Sequence, residues 1–501
     1  MKILILSLLL LTLELVVSQG QTENGDKELF SIEEIREDYF IFRKALETTY
    51  PSLYRFTDSL IITKYLDDQF ESLDRPMKEP EFYKIIALTC ARINDEHIIP
   101  TPSKTYYQSL QNVNHYFPFS LKIIDRRLFI FKSFNLQDKL PIGSEVLSIN
   151  GHPVEEILNI LLPTIPSDGY IQTFNIRHLE DYSMTQNQNL FDLNYPIFIE
   201  DADSFKIEFI HPEAKFEKQI VSIAGLNFNE YSKFYSERIG YKAPLEFKYL
   251  KNGIAYLRIS SFFKYHRDDF KQDFYSLYDS IFRQLNKKGT ENLILDLRNN
   301  EGGDGTGEKL LTYLLTKPYR HFDFTEEKFT GYPAVVDYLE NGKDLFFVDS
   351  IVYRANTGLF RLKKEYYNYL PLLNEQKPDK NHYTGKLYVL INGASGSMAS
   401  VVSSFLRANQ RSIFIGEESG GTMEGNTSLA YARLMLPNTK IKIEMPLTKT
   451  AHHIDFVKGR GVFPDYYVVP RIEDVINGTD TELNFALDLI VSKKSFVNGQ
   501  K

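Results

Sequence analysis

Lys386-Leu-Tyr-Val-Leu-Ile-Asn-Gly-Ala-Ser-Gly-Ser-Met-Ala-Ser400 is an apolar run that stops at Asn-Gly and continues in small residues. Lys386 to Ile391 reads as a buried strand, and Ser397 to Ala408 reads as a helix. Ser397 therefore stands at a strand-to-helix turn, where the first N–H groups of the helix have no partner inside it. A serine there can attack a carbonyl if a base reaches its hydroxyl, with its own and the next N–H holding the oxyanion. Serine is also a favoured helix N-cap, so an isolated Ser-rich turn has a purely structural reading as well.

The surrounding sequence has the same texture. Gly253 to Ile259, Asn292 to Leu297 and Ser412 to Ile415 read as strands, and Asp268 to Leu285 and Gly307 to Leu315 as helices. Apolar strands alternating with helices predict a mainly parallel sheet under helical cover. Residues 318–384, rich in Tyr, Phe and Lys, interrupt this rhythm as an insertion that could form a lid. Two further strands end in glycine loops. Leu295-Asp-Leu-Arg-Asn-Asn-Glu-Gly-Gly-Asp304 lacks the Gly-Lys-Ser/Thr ending of a phosphate loop. Its glycines let backbone N–H groups face a ligand, as an oxyanion hole requires. The other loop is Ile415-Gly-Glu-Glu-Ser-Gly-Gly421, and Gly459-Arg-Gly-Val-Phe-Pro-Asp465 follows as a turn.

Upstream, residues 117 to 225 read as strands and turns. Leu140-Pro-Ile-Gly-Ser-Glu-Val-Leu-Ser-Ile-Asn-Gly-His-Pro-Val154 is an apolar lead, a strand at Glu145 to Ile149, a tight Asn-Gly turn and a helix start. The phrase resembles the peptide-binding PDZ domain. That resemblance implies a groove with Ile142, Gly143 and Val146 as substrate contacts and the Glu145–Ile149 edge open to an added strand. Residues 27–100 read as a helical domain. Ser31-Ile-Glu-Glu34 has the form of a capping box, and Ile32, Ile35, Tyr39, Phe42 and Leu46 recur at helical spacing. The domain ends at Asn94-Asp-Glu-His97.

Met1-Lys2 followed by the apolar Ile3 to Val17 and then Ser18 describes a secretory signal peptide, too short for a membrane span of roughly 20 residues. The expected location is exported, periplasmic or secreted. Cys90 is the single cysteine, so no disulfide forms within the chain, and in its apolar helical setting it reads as a small buried hydrophobe. A formal net charge of −8 argues against nucleic acid or anionic membranes as partners.

Taken together and in order, the motifs resemble the C-terminal-processing (tail-specific) serine peptidase family. Asp-Leu-Arg-x-Asn-x-Gly-Gly is matched at Asp296 to Gly303, and Asn-x-x-Ser-x-Ser at Asn392, Ser395 and Ser397. A Gly-Glu pair follows nineteen residues beyond Ser397 at Gly416-Glu417, and Gly-Val-x-Pro-Asp closes at Gly461 to Asp465. The resemblance implies a crotonase/ClpP-like core, Ser397 as nucleophile with Ser395 as fallback, and Gly302, Gly303 and Met398 as oxyanion donors. It implies a polypeptide substrate, cut through an acyl-enzyme, with an extended or C-terminal segment bound. No cofactor and no metal are expected.

The sequence departs from part of that family. Many members carry a lysine base twenty-five residues after the nucleophile, where this chain has Thr422. The tricorn-type branch instead takes a histidine from the N-terminal region, and Asp95-Glu-His97 resembles its Asp-x-His phrase. His97 is the expected base, titrating near the ordinary histidine value of about 6.5. The glutamate that this branch carries three residues before Gly461 is Lys458 here, so Glu417, Glu424 and Asp455 remain candidates for the third member. His452, His453 and Asp455 lack a further spaced ligand for a metal. The losses leave a second reading, a catalytically silent peptide- or ligand-binding protein on a peptidase scaffold. The sequence thus predicts a multidomain α+β chain. It comprises a signal at 1–18, a helical domain at 27–100, a PDZ-like β-rich domain at 117–225, an α/β peptidase core at 240–475, and a C-terminal helix and tail at 476–501.

Overall fold

A computed structural model describes residues 29–134, 139–180, 182–183, 188–214, 217–239 and 242–496. The signal-peptide reading of residues 1–18 lies outside the described residues. No helix among the described residues is long and apolar enough to cross a membrane.

The N-terminal helices form where their caps and apolar stripes predict. Ile32–Thr48 starts on a reciprocal capping box of Ser31 and Glu34, and Ser59–Glu71 on Asp58, whose carboxylate accepts from Leu60 N. Glu79–Arg92 carries Pro80 in its first turn. Ile35, Tyr39, Phe42 and Leu46 are fully buried, and so is Cys90. The chain then runs through His97 into the short strand Ile99–Thr101. That strand pairs antiparallel with Lys442–Pro446, itself paired with Tyr431–Met435. A buried carboxylate fastens the same hairpin to the first helix. Asp38 accepts from Asn438 N at 2.9 Å, Thr439 N at 2.8 Å and Thr439 Oγ1 at 2.6 Å.

Between residues 117 and 225 lies an antiparallel sheet in the order Phe119–Ile124, Arg127–Ser133, Glu145–Ile149, Ser204–Ile210, Lys218–Ala224. This order corrects the expected groove. Glu145–Ile149 pairs with Arg127–Ser133 on one side and Ser204–Ile210 on the other, so its backbone groups are not open to an added strand. Val146 is buried in the core, and a Cβ on Gly143 would run into Ile476. Ile142 is half-buried. The edge strand Phe119–Ile124 is occupied too, since Ile123 N donates to the Glu180 carboxylate.

The C-terminal half is built on a sheet in the order Leu245–Tyr249, Ala255–Ile259, Asn292–Asp296, Lys386–Ile391, Ser412–Gly416, Tyr466–Tyr467. The first pair is antiparallel and the rest are parallel. Every residue of Asn292–Asp296 is buried, as in a strand covered on both faces. Leu293 and Leu295 point to the helices Phe274–Lys287, Thr306–Leu314 and Ser397–Ala408. Ile294 points the other way, to Ala486 and Ile490 of the helix Thr481–Phe496. The helix expected at Asp268 to Leu285 is two helices, because Lys271 has a φ of 52° and Asp273 caps a new start. The 318–384 segment adds Phe322–Glu327, Val352–Arg354 and Phe360–Leu362 to Thr448–His452 as a second antiparallel sheet.

Replacing Asp38 by alanine leaves the buried N–H and hydroxyl of Thr439 and the half-buried N–H of Asn438 without their acceptor. We expect a loss on the order of 2–3 kcal/mol in urea unfolding, the scale of hydrogen bonds to a charged group. An unchanged midpoint would show that this clamp does not hold the hairpin to the helical domain.

Candidate active site

Two strand ends meet around Ser397. The loops after Asn292–Asp296 and Lys386–Ile391 are laced together by side-chain amides. Asn299 N donates to Asn392 Oδ1 at 3.0 Å, Asn392 Nδ2 donates to Asn299 Oδ1 at 2.7 Å, and Gly396 N donates to Asn300 O at 3.0 Å. Ser397 opens the helix Ser397–Ala408 with a φ of 43°, a left-handed conformation unusual for a residue with a Cβ. Such strain is held only where the surroundings over-determine it, and the lacing does so here.

His97 comes to this turn from the other end of the chain. Its Nε2 lies 3.3 Å from Ser397 Oγ. Its Nδ1 lies 3.5 Å from Asp95 Oδ1 and 3.5 Å from Thr427 Oγ1. Asp95 is itself held by Thr427 Oγ1 at 3.0 Å, His97 N at 2.9 Å and the hydroxyl of Tyr50. The chain Asp95–His97–Ser397 has the order of an orienting acid, a base and a nucleophile.

The expected third members are elsewhere. Glu417 is bound by the Arg177 guanidinium, at 2.9 Å from Nη2, and by Gly393 N at 3.0 Å. Glu424 pairs with Arg55 at 3.0 Å and accepts from Gly459 N. Asp455 is exposed. Ser395 is fully buried, donating to Leu297 O at 2.8 Å and accepting from Asn392 N, so it supports the turn rather than facing a substrate. His452 and His453 diverge, the first bonding Met423 O inside and the second facing Asp323 outside. Sequence reading passed over Asp95 as a role-bearing residue, although it lies within the Asp-x-His phrase. It passed over Glu96 and Asp168 entirely, and Asp168 in Ser167-Asp-Gly169 carries no local signal.

Of the expected oxyanion donors, Gly302 N is spent on Asn300 Oδ1 at 2.9 Å. Gly302 O accepts from Phe262 N, which turns the following N–H of Gly303 away from Phe262. Gly303 N and Met398 N have no acceptor among the described residues. Gly302 matters for space. Its φ is +100°, and a Cβ there would sit 2.6 Å from Ser397 Cβ and 2.8 Å from Met398 N.

The pocket is acidic. Glu96 Oε1 accepts from Ser397 N at 3.1 Å and lies 3.7 Å from His97 Nε2. Asp168 accepts from Glu96 N at 3.0 Å and from Thr422 N at 3.4 Å. Burial and the nearby Asp168 charge push Glu96 up to about 8, and burial and Asp95 push Asp168 up to about 6. Burial raises Asp95 as well, but the hydrogen bond and charge of His97 outweigh it and hold Asp95 low. Burial lowers His97, yet the charge of Glu96, with Asp95 and Asp168, carries it up to about 9. The ordinary value near 6.5 therefore does not apply. Asp95, His97 and Asp168 have ligand atoms within 4.8 Å of one another, as a metal site would. Their oxygens are already engaged by N–H and O–H donors, which fits a base among its acids better than a set of free ligands.

Residues 253–468 match the family model described as Peptidase family S41. No curated protein sequence matches the chain. Among solved structures, mature CPAF complexed with lactacystin is 15% identical, with 92% of this chain and 97% of that chain covered and a TM-score of 0.61. Mature CPAF without that compound is 15% identical, with 89% and 95% covered and a TM-score of 0.58. At this identity the likeness is one of fold.

Gly302→Ala is expected to crowd Ser397 and Met398 N while leaving the sheet intact. Labelling of Ser397 by a fluorophosphonate should slow roughly 100-fold, the scale of losing an oxyanion contact. Labelling at the wild-type rate would mean that the close packing of Gly302 on Ser397 is not needed for reactivity.

Proposed function

We propose that this chain, a serine-type peptidase by its Peptidase family S41 domain at residues 253–468, cuts peptide bonds by attack of Ser397 with His97 as its base. The observation that carries the reading is the 3.3 Å approach of His97 Nε2 to Ser397 Oγ across 300 residues of sequence. His97 takes the Ser397 proton, Ser397 Oγ attacks the substrate carbonyl, and the oxyanion settles on Gly303 N and Met398 N. The imidazolium then gives its proton to the leaving amine, and water, activated by the same base, releases the acyl group. Asp95, with Thr427, fixes the ring so that Nε2 faces the nucleophile. Every group used belongs to the chain, so the reaction as drawn calls on no cofactor.

The wider assignments follow the same reading. The sheet Leu245–Tyr467 is taken as a crotonase/ClpP-like core, supported by its parallel strands and by the nucleophile at a strand-to-helix turn. Residues 117–225 are taken as a PDZ-like module, supported by the antiparallel sheet and the adjoining helix Val154–Leu161. Because its central strand is paired on both sides, the module acts as a brace between the helical domain and the core. Residues 1–18 are read as an export signal.

Ser397→Ala should abolish hydrolysis of an unstructured polypeptide and labelling by a fluorophosphonate, while Ser395→Ala keeps detectable labelling at Ser397. His97→Ala should lower kcat by several orders of magnitude, as the loss of a triad base does. Because His97 titrates near 9, kcat/KM should climb between pH 7 and 9 rather than level off above pH 6.5. A wild-type chain that neither labels nor cleaves would favour the silent binding protein, and a His97→Ala rate within about threefold of wild type would sink the Ser-His mechanism.

A further inference from the structure

We infer that Glu96 is a positioning residue that sets the pH range of the Ser397–His97 pair, by competing with Ser397 for the Nε2 proton of His97. The inference rests on the peptidase reading above and adds a regulator to it. Glu96 Oε1 is 3.7 Å from Nε2, against 3.3 Å for Ser397 Oγ, and the same oxygen accepts from Ser397 N at 3.1 Å. The carboxylate thus touches both partners of the proton transfer. It does not take the place of the oxyanion donors, which are Gly303 N and Met398 N.

Its placement is built in. Glu96 N is tied to Asp168, and the side chain lies beside two glycines. A Cβ on Gly396 would come 3.3 Å from Glu96 Oε2, and one on Gly421 would come 3.5 Å from Oε1. A side chain at Gly396 would crowd the carboxylate, and one at Gly421 would lie against it. The other charged or titratable groups around it are Asp95 and His97 on its own loop, Asp168 on the 165–170 loop, and Glu444 and Tyr431 on the hairpin. Tyr50 and Arg55 of the helical domain act through Asp95 and Asp168. Of these, the Glu96 charge is the largest single influence raising His97, with Asp95 acting through both a hydrogen bond and its charge, and Asp168 after them. A base that already carries a proton cannot take one from serine. Glu96 itself ionises near 8, so its charge delays release of the His97 proton from about pH 8 upward, until the pH passes about 9 or a bound substrate displaces the carboxylate.

Glu96→Gln keeps the size of the side chain and an acceptor for Ser397 N while removing the charge. Two readouts separate the inference from the reading it rests on. In the intact chain with isotope-labelled histidine, NMR titration of His97, assigned through His97→Gln, should show a pKa at least about one unit lower in Glu96→Gln, the low end of what a neighbouring charge contributes. In peptide hydrolysis, the acid limb of kcat/KM should move down in the same direction, with the gain in rate largest between about pH 8 and 9, where wild-type Glu96 is ionised and His97 still holds its proton. Glu444→Gln, which removes a carboxyl farther along the pocket wall, should shift both by clearly less. An unshifted His97 in Glu96→Gln, or a shift matched by Glu444→Gln, overturns the role of Glu96. A shifted His97 in a chain that shows no hydrolysis at any pH leaves the Glu96–His97 pairing standing and overturns the peptidase reading.

Discussion

The site depends on a three-residue strand. Ile99–Thr101 is too short to be stable alone, yet it is the element that carries His97 to a serine 300 positions away. It does so by pairing with Lys442–Pro446, residue against residue from Ile99–Glu444 to Thr101–Lys442. Once that register is set, His97, two residues before the strand, reaches the turn at Ser397. A slip by one residue would send each side chain to the opposite face. The Asp38 clamp on Asn438 and Thr439 guards the register from the far end of the same hairpin. Ser397 and His97 are thus held by separate parts of the chain, and the His97 side is the one whose geometry rests on few contacts.

That division has an electrostatic cost. To reach Ser397, the His97 loop brings Asp95 and Glu96 with it, and the 165–170 loop adds Asp168. Three carboxyls and one imidazole then share a pocket in which Arg55 is a minor influence on Asp168. Like charges in a buried site cannot all ionise freely, so Glu96, buried beside Asp168, and Asp168, buried beside Asp95, are both pushed toward the neutral form. Asp95 escapes because the His97 imidazole pairs with it, and the Tyr50 hydroxyl, the His97 backbone and Thr427 also donate to it. The hydrogen-bond pattern thereby sorts three similar acids into one stable anion that orients the ring and two that titrate near or above neutrality. Their different surroundings, rather than their residue type, assign the roles.

Much of this was legible in the chain, and the failures have a common cause. The strand at Lys386 to Ile391, the helix from Ser397 and the capped first helix follow from local periodicity and cap chemistry, and the structure has them where the sequence places them. His97 was legible through its phrase. What failed were statements about what lies beside a residue. Glu145–Ile149 reads as a strand, but whether a strand is an edge is decided by partners such as Ser204–Ile210, over fifty residues on. Glu417 sits in a motif position yet neutralises Arg177, from a helix that nothing nearby announces. Ser395 and Ser397 are indistinguishable as residue types. One is buried against Leu297 O, and the other faces the cleft.

The motif residues themselves divide in the same way. Arg298 of the Asp-Leu-Arg phrase does not approach Ser397. It bonds Asp296 and reaches Asp480 at 2.8 Å and Glu482 at 3.1 Å, pinning the C-terminal helix under the sheet. Asp465 of the closing motif accepts from Phe414 N and pairs with Arg407, and Glu418 accepts from Gly461 N. These contacts fix where the strands end, and the strand ends fix the glycine loops. Most of the recognisable signature therefore specifies the scaffold that strains Ser397 and aims two N–H groups. The acid and base that would act on it come from outside the matched residues 253–468. A core of this kind can keep its signature while the base is supplied from a different element. That is how a chain with threonine in place of the expected lysine at 422 still brings an imidazole within reach of its serine.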